Sequence, residues 1–102
     1  MNLSLCMIVK NEEKTIGRCL AGVAEAVDEI IIVDTGSTDK TKEIAGKYTD
    51  KIYDFAWNDD FSAARNFSFS KATGDFILWL DADDVLTFEE LEKVIDFKTT
   101  LS

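Results

Sequence analysis

The sequence predicts an α/β fold built on one mainly parallel sheet, and three observations carry that prediction. Apolar runs rich in β-branched residues alternate with stretches of helical periodicity along the chain. The run from Glu29 to Val33 reads as apolar on both faces, which suits a parallel strand covered by helices above and below. No repeat, linker or low-complexity tract divides the 102 residues, and that length fits one domain.

The first strand is expected from about Leu3 to Val9. Ile16, Cys19, Leu20 and Val23 then recur at the spacing of one helix face, so a helix leads back to the second strand, Glu29 to Val33. Asp34-Thr35-Gly36-Ser37-Thr38-Asp39 is a turn opening a short helix that reaches about Tyr48, with Ser37 or Thr38 as its N-cap. Lys51 to Phe55 alternates polar and apolar residues, the pattern of a sheet edge. A connection from Ala56 to Asp60 leads to a third helix, about Phe61 to Ala72. Gly74 is expected to stop that helix in a left-handed conformation ahead of the strand Asp75 to Leu80. Further on, Thr87-Phe88-Glu89-Glu90 is a capping box, and Leu91, Val94 and Ile95 give a last helix its buried stripe.

Hydrophobic residues make up 46% of the chain and include seven Phe and two Trp, enough for a compact core and unlike a disordered segment. Twenty acids against eleven bases leave a net charge of −9, which repels nucleic acid and anionic membrane surfaces. A small anionic ligand is still admissible where a metal or a few bases neutralise one pocket. Cys6 lies in a strand-like run and Cys19 in a helical one, so both read as small core residues of a reducing compartment, with no disulfide expected. The N-terminus meets charge at Lys10, too early for a signal peptide, and no apolar run approaches the roughly 18 residues that span a bilayer. The expected location is cytoplasmic.

The strongest chemical signal is Asp81-Ala82-Asp83-Asp84, where three carboxylates follow directly on the apolar run Phe76 to Leu80. Carboxylates that close repel, so they shift a pKa, stay solvated or bind a hard cation that prefers oxygen ligands. The plainer reading is an acidic turn between strand and helix. Convergence favours the chemical one. In a parallel sheet the ligand crevice lies at the carboxyl ends of the strands. Lys10, Asn11 and Glu12 leave the first strand there, Asp34 the second, and Asp81 and Asp83 the fourth, so polar groups far apart in sequence meet on one rim.

These residues carry a resemblance. The runs Leu5 to Glu13, Ile31 to Asp39, Ala64-Arg65-Asn66, Ala72 to Asp75 and Leu80 to Asp84 together look like the first half of a family 2 glycosyltransferase. The stretch Trp57 to Phe61 is further similar to bacterial members that extend lipooligosaccharide, including β-1,4-glucosyltransferases. The resemblance implies the GT-A fold, a Rossmann-like three-layer sandwich whose N-terminal half has about four mainly parallel strands flanked by helices. It implies an inverting enzyme that takes a nucleotide-sugar donor, usually a UDP-sugar, and a saccharide or lipid-linked acceptor in cell-envelope glycan synthesis such as that of lipopolysaccharide.

By match to the family's motifs, Asp83 is a metal ligand and Asp81 faces the ribose or shares the metal through water, with Ala82 between them among the donor contacts. A diphosphate approaching these acids is repelled unless Mn²⁺ or Mg²⁺ bridges carboxylates and phosphate oxygens. Asp34 matches the acid that accepts a hydrogen bond from the uracil N–H; its plainer role is a helix-cap partner. Glu12 matches a ribose-contacting position and equally suits the first turn of a helix. Val9 and Lys10 match positions beside the nucleotide. Arg65 offers a fixed charge to the diphosphate or orients Asp81, against a plainer role in a surface ion pair.

Two departures from the family pattern stand out. Members often have a Pro and an aromatic residue near the end of the first strand, where the ring stacks on uracil, whereas Ile8, Val9 and Lys10 stand here and the chain has no Pro. Only eighteen residues follow Asp84, so the acceptor-binding half with its catalytic Asp or Glu base is expected to be absent, and residues 1–102 to be the donor-binding part of a longer enzyme. Such a part binds donor weakly and transfers sugar poorly, and its apolar edge around Phe76, Trp79 and the last helix favours self-association or partner binding. Two other classes stay open. One is a non-catalytic binding or assembly module of the same fold. The other is a haloacid-dehalogenase-like phosphatase fragment, whose apolar strand followed by D-x-D-x-V matches Phe76 to Leu86.

Overall fold

In the computed structural model, which describes residues 2–57 and 60–80, strand and helix alternate as the periodicity predicts. The order is β1 (Leu3–Val9), α1 (Ile16–Val23), a 3₁₀ turn (Ala24–Ala26), β2 (Glu29–Asp34), α2 (Thr41–Ala45), β3 (Ile52–Asp54), α3 (Phe61–Lys71) and β4 (Phe76–Trp79). The acidic motif Asp81 to Asp84 and the expected last helix lie outside the described residues. The strands pair in the order β3-β2-β1-β4, and every pairing is parallel. All four therefore deliver their carboxyl ends to one edge. The two most buried strands, β1 and β2, occupy the middle, the all-apolar β4 ends the order on one side, and the alternating β3 is an edge, as its pattern predicts.

Because strand side chains alternate between faces, β1 sends Leu3, Leu5, Met7 and Val9 one way and Ser4, Cys6 and Ile8 the other. The first set joins Ile30 and Ile32 of β2 and meets the α1 stripe of Ile16, Cys19, Leu20 and Val23 in the main core. On the second face α3 settles through its smallest side chains. Ala64 and Ser68, one turn apart, are fully buried, and the Cys6 thiol donates to the Ser68 carbonyl oxygen at 3.8 Å. The bulky residues of α3 flank that contact: Phe67 packs on Tyr53 and Phe55, while Phe61 and Phe69 meet Trp79 edge-on. Helix, sheet and helix form the three-layer α/β sandwich the sequence predicts.

The structure differs from expectation at two turns. Neither Ser37 nor Thr38 caps α2, which begins only at Thr41 and closes at Ala45, short of Tyr48. The Thr41 N–H instead donates to Asp39 Oδ1 at 2.9 Å, and Ser37 and Thr38 are drawn across to Asn11. Gly74 does not end α3 in a left-handed conformation, since among the described residues the positive-φ glycine is Gly36. Space is what Gly74 provides. A Cβ there would press on Ser4 Oγ and stand 3.0 Å from Asn2 O and Ser4 N, because the chain crosses the start of β1 at that point.

The amino-terminal edge is held by Glu29, whose carboxylate accepts from Ser4 Oγ (2.8 Å), Thr73 N–H (2.7 Å), Thr73 Oγ1 (2.8 Å) and the Lys51 ammonium. Burial alone would raise its pKa, but Lys51 and then Thr73 and Ser4 outweigh that and hold the carboxyl at about 2. One side chain thereby joins β1, β2, the approach to β3 and the link into β4.

Candidate functional site

At the carboxyl edge, β1 and β2 end side by side and are closed by Thr35, whose N–H and Oγ1 donate to the Val9 carbonyl at 3.0 and 3.2 Å. Beyond Val9 the chain passes the exposed Lys10 and turns sharply at Asn11, which adopts φ 53°, a left-handed conformation that Asn tolerates better than most residues. The Glu12 carbonyl then accepts from Thr15 N–H (3.1 Å) and Ile16 N–H (2.9 Å), and its carboxylate accepts from Thr15 Oγ1 at 3.1 Å. Glu12 thus lies ahead of α1, whose first turn holds no acid; among the described residues its carboxylate meets the Thr15 hydroxyl and no backbone N–H of the helix, and it stays on the rim.

Asp34 ends β2 and is 2% exposed. Its Oδ1 accepts from the N–H groups of Gly36 (2.9 Å) and Ser37 (2.7 Å), a turn made possible by Gly36 at φ 114°. Asp34 therefore caps this turn and not α2. Its Oδ2 is buried with no hydrogen-bond partner among the described residues. Leaving a buried acceptor unmade costs about 1–3 kcal/mol, which makes this oxygen the candidate acceptor of the site.

Two hollows open on this edge. One, of about 260 Å³, is lined by Ile8, Val9, Lys10, Glu12, Thr35, Trp57 and Phe61. The other, about 300 Å³, lies beside it between Asp34, Thr35, Gly36, Asp54, Phe55 and Ala56. Four sequence-predicted site residues, Val9, Lys10, Glu12 and Asp34, thus meet here, with Thr35 on the wall between the hollows. Arg65 does not line either one. Its guanidinium lies over the rings of Phe61 (5.0 Å) and Trp79 (5.2 Å), held by cation–π contact one turn into α3. Asp81, Ala82 and Asp83 fall outside the described residues, and among the described residues no cluster of acids, Cys or His is placed to hold a metal.

Trp57 and Phe61, each 43% exposed, line the first hollow although sequence reasoning gave them no role. Their signal was two aromatic residues flanking the polar Asn58-Asp59-Asp60, where a solvated loop needs none. A third hollow, about 290 Å³, sits at the opposite, amino-terminal edge near Asp28, Glu29, Tyr48 and Lys51 and holds none of the predicted site residues. No helix among the described residues is long and apolar enough to cross a membrane.

Known proteins resemble this chain in sequence and in fold. The chain is 50% identical over 97 residues to a TPR repeat-containing protein of Synechococcus elongatus, covering 92% of this chain and 24% of that one. It is 39% identical over 90 residues to the SPbeta prophage-derived glycosyltransferase SunS of Bacillus subtilis, covering 86% of this chain and 21% of SunS. The structure of Staphylococcus aureus TarS 1–349 superposes with a TM-score of 0.80 at 27% identity over 98% of this chain and 33% of TarS. Its complex with UDP gives 0.73 at 28% identity, over 98% and 32%. The chain therefore spans a third or less of the length of these proteins. Residues 4–100, which include the phosphatase-like stretch Phe76 to Leu86, match the family described as glycosyl transferase family 2, and to that family the chain belongs.

Proposed function

We propose that this chain is the donor-binding part of an inverting glycosyltransferase, and that UDP lies along the carboxyl edge of the sheet. The observation that carries the reading is the buried, unpartnered Oδ2 of Asp34, an acceptor at the place where a uracil ring would offer its N–H. The ribose lies against Glu12, with Val9 and Lys10 beside it. Trp57 and Phe61 give the hollow an apolar wall that stands in for the ring missing at the end of β1. The UDP complex of TarS, whose fold this chain shares across almost its whole length, supports UDP as the nucleotide.

The diphosphate then runs toward the end of β4, where the sequence supplies Asp81 and Asp83 with Ala82 between them. Their donor set is all oxygen, which fits Mg²⁺ or Mn²⁺ and not a thiophilic metal. When bound, such an ion neutralises the diphosphate and stabilises UDP as the leaving group. Asp83 would be its ligand and Asp81 would share it or face the ribose, while Arg65, pinned on Phe61 and Trp79, supplies fixed positive charge nearby. The catalytic base and the acceptor site belong to the remainder of a longer enzyme. The resemblance of Trp57 to Phe61 to lipooligosaccharide-extending enzymes supports a saccharide or lipid-linked acceptor of the cell envelope. Cys6 and Cys19, buried and outside any disulfide, fit the reducing cytoplasm, where the donor is met.

Calorimetric titration of UDP with and without Mn²⁺ tests this reading. Binding that requires the metal and disappears in Asp83→Ala supports it; UDP heats that are absent under both conditions leave a non-catalytic module of the same fold.

A further inference from the structure

The two loops that form the rim are tied to each other as well as to the sheet. Asn11 N–H donates to Ser37 Oγ at 2.9 Å, and Thr38 N–H donates back to Asn11 Oδ1 at 2.8 Å. Beside this exchange, Glu12 N–H donates to Thr41 Oγ1 (2.8 Å), Glu13 N–H to Asp39 Oδ2 (3.2 Å) and Lys40 N–H to Glu13 Oε2 (3.3 Å). Asn11 has a special place in this seam. Among the described residues it is the non-glycine residue with positive φ, and that turn aims its N–H at Ser37 while its amide oxygen reaches Thr38. Ser37 in turn donates its own N–H to Asp34 Oδ1. An unbroken series of hydrogen bonds thus runs from Asn11 through Ser37 to the carboxylate whose other oxygen is unpartnered.

We propose that Asn11 is a positioning residue that sets base selectivity: it fixes Ser37, Ser37 fixes Asp34 Oδ1, and Oδ2 is thereby held at one angle for the incoming base. The inference rests on the nucleotide reading above and adds what that reading leaves open, the discrimination between pyrimidines. N3 of uracil carries a hydrogen and N3 of cytosine carries a lone pair. A carboxylate oxygen fixed in direction accepts from the first and repels the second, whereas one free to swing accommodates both. The bond to Ser37 comes from the Asn11 backbone N–H and depends on the left-handed turn, while the side-chain bond to Thr38 is exposed, so water replaces it at little cost to the fold and the buried Thr41 still anchors Glu12. Loss of Asn11 therefore acts on direction more than on stability.

The test measures dissociation constants for UDP and CDP, with Mg²⁺, in the full 102-residue chain and in Ser37→Ala, Asn11→Gly, Asn11→Ala and Asn11→Asp. Glycine keeps the left-handed turn but lacks the amide, alanine lacks both, and aspartate keeps an acceptor and tolerates the turn. The unsubstituted chain prefers UDP. In Ser37→Ala, which removes the acceptor of the Asn11 N–H, and in Asn11→Ala, which strains the turn that aims it, the UDP-to-CDP preference falls about fivefold to tenfold, as loss of one well-directed hydrogen bond predicts, whereas Asn11→Gly keeps both turn and N–H and so keeps the preference. Asn11→Asp restores the ratio, even though its added charge weakens both nucleotides. A preference that stays intact in Ser37→Ala overturns the proposal, as does a parallel loss of UDP, CDP and thermal stability. Failure of the unsubstituted chain to bind either nucleotide is a different result, which removes the donor-site reading and this inference with it.

Discussion

The Ser37 N–H donates to Asp34 Oδ1 at 2.7 Å and leaves the second oxygen of the same carboxylate buried and unpartnered. One atom holds the turn and the other, in the proposed reading, accepts from the ligand, and substitution can part them. In Asp34→Asn the amide oxygen keeps the turn while an NH₂ group replaces the free acceptor. UDP affinity should fall about tenfold or more by calorimetry. The melting temperature should change little, since one unpartnered buried polar atom replaces another.

Glu29 sets the acid limit of stability. Its folded pKa of about 2 lies below the ordinary 4.5, so its contribution is fully present above pH 4.5 and is lost as the pH falls through that window toward 2. Thermal melts between pH 7 and pH 2 should show a falling melting temperature on the acid side, and Glu29→Gln should flatten that limb. At pH 7 the same variant should lose about 1–3 kcal/mol, because Lys51, Thr73 and Ser4 keep their donors and lose the charged acceptor.

Gly74 separates two reasons for a glycine. Were its backbone left-handed, Asn would be the best replacement and Ala a poor one. Since the constraint is the approach to Ser4 and Asn2, Gly74→Ala should cost about 1–3 kcal/mol and Gly74→Asn more. Denaturant midpoints of the two variants give the order.

Cys6 lies under α3, and burial pushes its thiol pKa up to about 11. It should resist a thiol reagent at pH 8 in the native chain and react promptly once the chain is unfolded in denaturant.

Much of this molecule was legible in its sequence because local pattern and tertiary role agree. The α1 stripe of Ile16, Cys19, Leu20 and Val23 is the stripe that is buried, and the apolar run of β2 is central in the sheet. Asp34, Glu12 and Lys10 were legible as a rim because parallel strands place their successors on one edge, and Val9 came from the family resemblance. The partners of Ser37 and Thr38 were not. Their hydroxyl and amide groups can cap a helix locally, and only the approach of the β1–α1 loop gives them Asn11 instead. Trp57 and Phe61 escaped for a similar reason, since spacing along the chain does not say that the start of α3 faces the end of β1.

The central claim is that the carboxyl edge of this sheet is a nucleotide-diphosphate site. Backbone amide NMR of the chain titrated with UDP and Mg²⁺ tests it most directly. The account predicts saturable shifts at Val9, Lys10, Glu12, Asp34 and Thr35, absent when Mg²⁺ is withheld, with Asp28, Glu29 and Thr49 at the opposite edge unmoved. Shifts confined to that opposite edge, or none at either edge at millimolar UDP, would contradict it.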